Sequence, residues 1–289
     1  MSGQLYLLPC PISEAPALDA LPASTVETAR RIDHFLVEAA RTARATLKAM
    51  GHPKPIAELD IVEIGHDPAP ELISEWLQPV LDGADAAVLS ESGCPGVADP
   101  GAQIAARAHE LGIRVVPLTG PSSILLTLMG LDGQRFRFSG YLPKHDAERR
   151  AAILAAEKAS RASETQLFIE TPYRNTALLD ALLETLAPDT RLTVAIDVTG
   201  QNESIRTLTA AAWKAIPKAM RTLPKLPTVF AFLAKPGNRA PRYAPECAGG
   251  KRAHTAPSSK PAVLNNRPKQ AFKTHRPEGS PVKTLKGGR

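Results

Sequence analysis

Apolar and polar residues alternate along this chain in blocks that predict strands and helices in turn. Short apolar runs predict strands at residues 4–8, 59–64, 86–89, 113–118, 136–142, 166–170, 191–196 and 227–233. Apolar residues at helical spacing predict helices at residues 24–50, 70–81, 103–111, 122–129, 146–160, 176–186 and 209–216. Because strands and helices alternate throughout, the pattern predicts an α/β fold.

The longest of these helices, at residues 24–50, has the clearest helical spacing. Ser24 and Glu27 have the spacing of a capping box at its start, and Gly51 and Pro53 predict its end. Its polar positions include five cations: Arg30, Arg31, Arg41, Arg44 and Lys48. Such a face is typical of a solvated helix surface, which is the favoured interpretation, and the alternative is a contact for RNA.

A βαβ unit at residues 84–121 organises the first half of the chain. The strand at 86–89 leads into a loop at residues 90–101, and then come a helix, a second strand and the turn Gly120-Pro121-Ser122. In parallel sheets, backbone N–H groups and helix N-termini converge at the carboxyl ends of the strands, where ligands bind. We therefore expect a ligand site at these two loops.

The loop at residues 90–101 reads SESGCPGVADPG, which is unusually rich in glycine and proline. Glycine lets the backbone approach a ligand closely, and Asp99 stands where it can cap the following helix. The sequence fits neither G-x-G-x-x-G nor G-x-x-x-x-G-K-[ST], so nucleotide-phosphate binding of those kinds is not supported. Taken alone, this loop is either a backbone cradle for a small polar ligand or a tight turn followed by a helix cap.

Positive charge is concentrated at the end of the chain. The net charge is +6, but residues 235–289 hold 13 Lys/Arg against 2 Asp/Glu, a net of +11, which leaves −5 for residues 1–234. These last residues also contain eight prolines and no apolar period, so we expect a disordered basic tail. Such a tail is typical of binding to nucleic acid or another polyanion, although a merely solubilising extension has the same composition.

Other features of the sequence limit the class of protein. The three cysteines, Cys10, Cys94 and Cys247, lie far apart without a C-x-x-C pair, so we expect neither a disulfide framework nor a cysteine zinc site. No signal peptide and no apolar run of about 20 residues is found, so a cytoplasmic protein without a membrane span is expected. The proline-bearing segment at residues 142–146 predicts a hinge between domains at 1–142 and 143–234.

Five ordered motifs carry a resemblance to a known family: LYLLPCPIS, SESGCPGVADPG, VVPLTGPSSI, FSGYLP and FIETPYRN. In this order and spacing they resemble the tetrapyrrole-methylase-like S-adenosylmethionine methyltransferases over about residues 4–234. Within that family they are most similar to the branch of small-subunit ribosomal RNA ribose 2′-O-methyltransferases and their short paralogues. The resemblance implies a homodimer of two-domain α/β chains, each with S-adenosylmethionine in the cleft between its domains.

The resemblance also implies which residues hold the cofactor, largely through main-chain groups. The matching positions are Leu8, Pro9, Ser90, Glu91, Ser92, Gly93, Cys94, Pro95, Val97, Pro121, Ser122, Ser123, Ile124, Tyr173, Arg174 and Asn175. These positions fall at strand-end loops, where the pattern of strands and helices independently predicts a ligand site.

The catalytic base is not identified by the sequence. Methyl transfer to a ribose hydroxyl needs in-line approach of the oxygen and removal of its proton, and the candidate bases are Glu91, Asp99 and Glu170. Each has a structural alternative, Asp99 as a helix cap and the two glutamates as hydrogen-bond anchors. Arg174 and Lys144 would hold RNA phosphate or are surface charges. The seven histidines lack metal-ligand spacing, and transfer from a sulfonium needs no metal.

Two segments depart from the family pattern. The helix after the GPSS turn ends in LMGLDG around Gly130, about two residues shorter than is usual in the family. Residues 195–206, AIDVTGQNESIR, place Asp197 and Thr199 where the RNA enzymes have a more charged motif. The second departure weakens the transfer of the rRNA substrate from the family, whereas the charge of the basic tail speaks for RNA. On the motifs and the tail together, the sequence favours methylation of small-subunit rRNA ribose. It leaves open methylation of a tetrapyrrole or other small molecule, and a non-catalytic S-adenosylmethionine-binding protein associated with RNA or the ribosome.

Overall fold

The computed structural model describes residues 2–236 of the chain. Its strands are β1 (Gln4–Leu8), β2 (His34–Val37), β3 (Asp60–Glu63), β4 (Ala86–Leu89), β5 (Arg114–Pro117), β6 (Phe136–Tyr141), β7 (Thr165–Glu170), β8 (Arg191–Ile196), β9 (Ser204–Thr209) and β10 (Thr228–Leu233). Its α-helices are α1 (Ala17–Ala20), α2 (Ala23–Ala29), α3 (Ala40–Ala49), α4 (Pro70–Trp76), α5 (Gln78–Leu81), α6 (Gly101–Glu110), α7 (Ser123–Met129), α8 (Asp146–Ser160), α9 (Asn175–Thr185) and α10 (Ala210–Ala215).

The first sheet is parallel, in the order β3-β2-β4-β1-β5. The inner strands β2 and β4 are buried on both faces, because their side chains alternate between two helical layers. On β2, Phe35 packs in the core formed with α2 and α3, whereas the adjacent Leu36 packs in the core formed with α4 and α6. All the carboxyl ends of these strands therefore meet at one edge, where the loops after β1, β4 and β5 lie. We call this sheet and its two helical layers the N-lobe.

The second sheet is mixed, in the order β6-β7-β10-β8-β9. β6 runs parallel to β7, whereas β10 runs antiparallel to both β7 and β8. As a result Thr228, the first residue of β10, pairs with Glu170 at the end of β7 and with Ile196 at the end of β8. This arrangement brings the ends of two strands and the beginning of a third to one edge. The sheet with its helices α8, α9 and α10 is called the C-lobe.

Helix α7 connects the two lobes through packing as well as through the chain. It follows the turn after β5 of the N-lobe, but Leu128 packs against Leu167, Ala195 and Val229 of the second sheet. Ile12, from the loop after β1, packs against the same cluster. The α/β class with two sheets is therefore confirmed. β6, which precedes the predicted domain boundary at residue 142, already belongs to the second sheet.

The prediction of a single helix at residues 24–50 is wrong. The structure has α2, then β2, then α3 in this region. All four β2 side chains are buried, because this inner strand lies between β3 and β4 with helices on both faces. The buried His34 is hydrogen-bonded on both sides, with its Nδ1 2.7 Å from Asp60 Oδ2 and its Nε2 2.9 Å from the Trp76 carbonyl oxygen. Three apolar residues in a row, Phe35 to Val37, fit a helix or a strand equally well by spacing, and tertiary burial decides in favour of the strand.

The ends of this predicted helix also differ. The capping box of Ser24 and Glu27 is not formed, since α2 starts after Pro22, which makes no side-chain cap hydrogen bond. The predicted basic face divides in two: Arg30 turns inward, where its Nε donates to the Met50 carbonyl at 2.8 Å, while Arg41, Arg44 and Lys48 stay exposed on α3.

Smaller differences have local causes. The helix predicted at residues 70–81 is interrupted at Leu77, next to Pro79, which cannot donate a helical hydrogen bond. β9 was not predicted, because its alternating sequence SIRTLT is mostly polar and lies at the edge of the sheet. Residues 237–289 lie outside the described part of the chain. The prediction of a disordered tail and the prediction for Cys247 concern those residues. No helix between residues 2 and 236 is long and apolar enough to cross a membrane.

Candidate functional site

A cavity of about 360 Å³ lies between the two lobes. Its N-lobe wall includes Ile12 and Ser92, and Ser123 at the start of α7 lines it as well. Its C-lobe wall is longer, and consists of Tyr141, Ile169, Glu170, Thr171, Pro172, Ala195, Val198, Pro227, Thr228 and Val229. A cavity of this size that is mostly apolar, with a few polar groups, is typical of a small-molecule site.

The two N-lobe loops that reach this cavity are joined by backbone hydrogen bonds. Cys10 N donates to the Gly93 carbonyl at 2.9 Å, and Gly93 N donates back to the Cys10 carbonyl at 3.2 Å. Gly93 has φ +74°, a conformation that residues with a side chain rarely adopt, so the sequence requires glycine here. The loop after β1 and the loop after β4 therefore form one unit.

The turn after β5 is packed against the same unit. A Cβ on Gly120 would lie 2.2 Å from Pro9 Cβ, so only glycine allows this approach. Cys94 Sγ donates to the Pro121 carbonyl at 3.4 Å. Ser122 accepts from Leu125 N at 3.5 Å and so caps α7. The structure thus brings all three predicted N-lobe loops together.

Asp99 fixes the shape of the loop after β4. Its Oδ1 accepts from Gly96 N at 2.6 Å and from Gly101 N, the first residue of α6, at 2.8 Å. This geometry agrees with the predicted helix-capping role. Burial raises the pKa of the Asp99 carboxyl above its usual range. Its Oδ2 is buried and has no hydrogen-bond partner in the described residues.

Burial also raises the pKa values of the two cysteines near this loop. The pKa of the Cys10 thiol is raised to about 12, mainly by burial and also by the nearby Asp99. The pKa of Cys94 is raised for the same two reasons. Both are free cysteines. Because a reactive cysteine needs its thiolate form, neither thiol is suited to act as a nucleophile.

Glu91 points away from the cavity, toward the carboxyl ends of β2 and β3. Its backbone N donates to Glu38 Oε2 at 3.0 Å, and its side chain accepts from Thr42 Oγ1 at 3.3 Å. His66 Nδ1 lies 2.8 Å from Glu38 Oε1. Glu38, His66 and Glu91 thus offer ligand atoms within 4.8 Å of one another, in an arrangement that hydrogen bonds already account for. Of the three candidate bases, Glu91 therefore has the least access to the cavity.

Glu170 lines the cavity and is fixed by two neighbours. Its Oε1 accepts from Thr171 N at 2.7 Å, and its Oε2 lies 3.1 Å from Arg174 Nη2. The Glu170 side chain is 1% exposed, whereas that of Arg174 is 32% exposed. The carboxylate is thus already paired, which agrees with its predicted anchoring role, and the guanidinium keeps part of its surface open to solvent.

The three predicted cofactor residues at the start of α9 have different surroundings. Asn175 is fully buried, and its Nδ2 donates to the Leu226 carbonyl at 2.8 Å and to Thr228 Oγ1 at 2.9 Å. Its amide therefore ties α9 to the beginning of β10. Tyr173 is 81% exposed, and Arg174 forms the ion pair with Glu170. Lys144, proposed for phosphate, is exposed in the segment before α8.

A second, more apolar cavity of about 530 Å³ lies on the other side of the loop after β4. It is lined by Pro9, Cys94, Pro95 and Val97 of the predicted set, together with residues of β1, β5 and α6. Leu8, in contrast, is fully buried in the N-lobe core. Of the predicted cofactor residues, Ser92 and Ser123 line the cavity between the lobes, as does the candidate base Glu170.

Several residues of the inter-lobe cavity were not predicted from the sequence. Ala195 and Val198 lie at the end of β8, and Pro227 to Val229 lie at the start of β10. Their side chains are small or apolar, so no chemistry singles them out. The antiparallel direction of β10 brings these residues to the cavity, and that direction is a property of the folded sheet that the sequence does not reveal.

Comparison with known proteins gives a consistent assignment. The sequence model of the family described as Tetrapyrrole (Corrin/Porphyrin) Methylases matches residues 17–213. A protein named ribosomal RNA small subunit methyltransferase I from Neisseria meningitidis serogroup B is 29% identical over 201 residues, which are 69% of this chain and 65% of that protein. A protein of the same name from Mesorhizobium japonicum is 32% identical over 210 residues, 72% of this chain and 68% of that protein. The chain thus matches slightly less than two thirds of the length of the Neisseria relative.

Solved structures support the fold. The methyltransferase CobJ aligns with a TM-score of 0.54 and 15% identity, over 81% of this chain and 95% of that one. A conserved hypothetical protein from Aeropyrum pernix K1 aligns with a TM-score of 0.56 and 17% identity, over 82% and 86% of the two chains. At these identities the likeness concerns the fold alone.

Proposed function

This chain belongs to the tetrapyrrole methylase family, and from that premise we propose that it is an S-adenosylmethionine-dependent methyltransferase acting on RNA. The observation that carries the proposal is the inter-lobe cavity, which is lined by Ser92 and Ser123 of the predicted cofactor loops and by Thr171 and Pro172, which directly precede Tyr173. The names of the two relatives described above, both ribosomal RNA small subunit methyltransferase I, support RNA as the substrate.

We assign the cofactor to the inter-lobe cavity. The N-lobe side offers Ser92 and Ser123, and the C-lobe side offers the segment from Glu170 to Pro172. Apolar walls from Ala195, Val198 and Val229 would enclose the ligand and exclude water. When bound, S-adenosylmethionine supplies a methyl group on a sulfonium.

In this mechanism the protein contributes mainly by positioning. Hydrogen bonds between Cys10 and Gly93 hold two loops together, and Asp99 holds the loop after β4 against the start of α6. A preorganised site that fixes the attacking oxygen and the methyl group in line can supply several powers of ten in rate. Glu170 is the candidate base that lines the cavity, and its pairing with Arg174 favours an orienting role.

The proposal extends to partners. The substrate would be small-subunit rRNA, methylated at a ribose 2′-hydroxyl, with the net +11 of residues 235–289 adding affinity for phosphate. A homodimer is supported by the exposure of Leu125 and Met129, which are 56% and 82% exposed on α7. A protein with this substrate would work in the cytoplasm and without a metal.

Titration calorimetry and a methyl-transfer assay test the function. The assay offers labelled S-adenosylmethionine with undermethylated small ribosomal subunits, free rRNA or uroporphyrinogen. Transfer to either RNA substrate is expected. Transfer to the porphyrin alone would replace RNA by a tetrapyrrole, and binding of cofactor and RNA without transfer would indicate a non-catalytic protein. Absence of cofactor binding would overturn every version of the proposal.

A further inference from the structure

Tyr173 stands at the edge of the inter-lobe cavity with most of its surface open. It lies in the single 3-10 turn Pro172–Arg174, directly after Pro172, which lines the cavity. The residue is 81% exposed, and it is not part of the cavity wall. A small ligand held in such a cavity is usually buried over most of its surface, so a ring this exposed is poorly placed to enclose the cofactor.

A cation lies over this ring. Lys225 Nζ is 5.1 Å from the Tyr173 ring centroid, and Lys225 is itself exposed. Between residues 2 and 236, no carboxylate forms an ion pair with Lys225. Lys225 belongs to the loop that leads to Pro227, another residue of the cavity wall. Its charge is therefore available at the same edge of the site.

A second tyrosine, Tyr141, borders the same cavity. It ends β6, is 61% exposed and lines the cavity directly. Exposed aromatic rings together with free cations are the combination by which proteins bind single-stranded nucleic acid, because bases stack on the rings and phosphates pair with the cations.

The backbone that carries Tyr173 is held firmly. Arg174 N donates to the Thr171 carbonyl at 2.9 Å, and the Arg174 guanidinium pairs with the buried Glu170. Asn175, the next residue, is anchored to the Leu226 carbonyl and to Thr228. A ring that is exposed but mounted on a fixed turn loses little conformational freedom when a base stacks on it.

We propose that Tyr173 is a substrate-positioning residue whose ring stacks on a nucleobase of the RNA substrate, while Lys225 meets the adjacent phosphate. The proposal rests on the function proposed above and adds the residues that would orient the RNA strand at the cavity edge. The alternative ligand for the ring, the adenine of the cofactor, is a result that the test can detect.

The test uses the full-length protein and a single-stranded oligoribonucleotide from small-subunit rRNA that carries 2-aminopurine, whose fluorescence reports stacking. Base–aromatic stacking is worth about 1–3 kcal/mol. Tyr173→Ala should therefore weaken RNA binding by about 5- to 150-fold and reduce the stacking signal, at about 1.4 kcal/mol per tenfold. Tyr173→Phe, which keeps the ring, should stay within about twofold of the wild type. Lys225→Gln should lower the slope of log affinity against log salt by about 0.7.

Controls separate this inference from the proposed function. Phe136→Ala removes another exposed aromatic, at the far end of β6, and should leave RNA binding unchanged. Calorimetry should give the same cofactor affinity for Tyr173→Ala as for the wild type. The inference is overturned if a wild type that methylates RNA loses nothing on Tyr173→Ala, or if that variant loses cofactor affinity as strongly as RNA affinity. A wild type that binds no RNA overturns the proposed function itself.

Discussion

Replacing Gly120 by alanine probes whether close packing of the N-lobe loops creates the cofactor site. The added Cβ would lie 2.2 Å from Pro9 Cβ and 2.6 Å from Pro9 Cγ. Both atoms belong to a rigid proline ring, so a rotamer change cannot relieve the contact. Ordinary carbon contacts are about 3.5–4 Å, and the turn after β5 must therefore move away from the loop after β1 by about 1 Å or more.

Two consequences follow from this displacement. Overpacking of a well-packed site costs about 1–3 kcal/mol, which should lower the free energy of unfolding by that amount. A shift of about 1 Å in a positioning element can reduce turnover about 100-fold, because in-line geometry is lost. We therefore expect Gly120→Ala to bind S-adenosylmethionine much more weakly than the wild type and to retain about 1% of its transfer rate.

Denaturant unfolding, calorimetry with S-adenosylmethionine and the transfer assay measure these effects. Gly133→Ala is a matched control, since its Cβ would meet only Leu128 Cβ, at an ordinary 3.6 Å. The control should behave like the wild type in all three measurements. If Gly120→Ala has wild-type stability and cofactor affinity, the three loops do not form the packed unit described above. If it is destabilised but binds cofactor normally, the cofactor lies elsewhere.

Three further predictions concern other parts of the chain. Because burial raises the pKa of Asp99, its contribution to stability is present below its usual pKa and is lost as pH rises through the folded-state value. Asp99→Asn should thus gain melting temperature relative to the wild type as pH rises above the usual pKa of an aspartate, and a difference that does not change with pH would contradict this. The same variant should stay active, because Asp99 has a structural role. Loss of transfer without loss of stability would instead indicate that Asp99 is the base. Buried Glu157 accepts from Ala187 N at 2.8 Å and from Thr190 Oγ1 at 2.5 Å, so Glu157→Ala should cost about 3 kcal/mol in denaturant unfolding and Glu157→Gln clearly less; equal losses would contradict the hydrogen-bond argument. Deleting residues 235–289 should leave cofactor affinity unchanged in calorimetry and flatten the salt dependence of RNA binding, and an unchanged salt slope would exclude a role of the tail in RNA binding.

The closeness of the three N-lobe loops could be predicted from the sequence, for a physical reason. In a parallel sheet every strand ends at the same edge, so recognising β1, β4 and β5 as strands is enough to bring the loops that follow them together. Two glycines also indicate these loops. Any other residue would be strained at Gly93, which has a positive φ, and would clash with Pro9 at Gly120. In such a sheet, knowing which segments are strands is therefore almost enough to know where the loops after them lie.

The missed strand β2 shows where prediction from the sequence fails. The spacing of apolar residues around Phe35 and Leu36 satisfies a helix and a fully buried strand at the same time. What decides is the space between β3 and β4, which an inner strand fills and a helix cannot. The surroundings of Glu91 depend on the same missed segment, since its backbone N donates to Glu38 and its side chain accepts from Thr42, which both follow β2.

The segment at residues 195–206, which departs from the family pattern, is where the two lobes meet. In the structure it is the connection from β8 to β9: Asp197 has φ +46° and accepts from Asn202 N at 2.9 Å, and Thr199 has φ +67°. Thr199 Oγ1 lies 3.0 Å from Ser13 Oγ of the loop after β1, and Val198 lines the inter-lobe cavity. A change of sequence here therefore alters the C-lobe wall of the cavity and its contact with the N-lobe, while the loops around Gly93 and Gly120 stay intact. Because Ala195 and Val198 belong to the wall of the cavity that we assign to the cofactor, this departure bears on the fit of the cofactor as well as on the contact between the lobes.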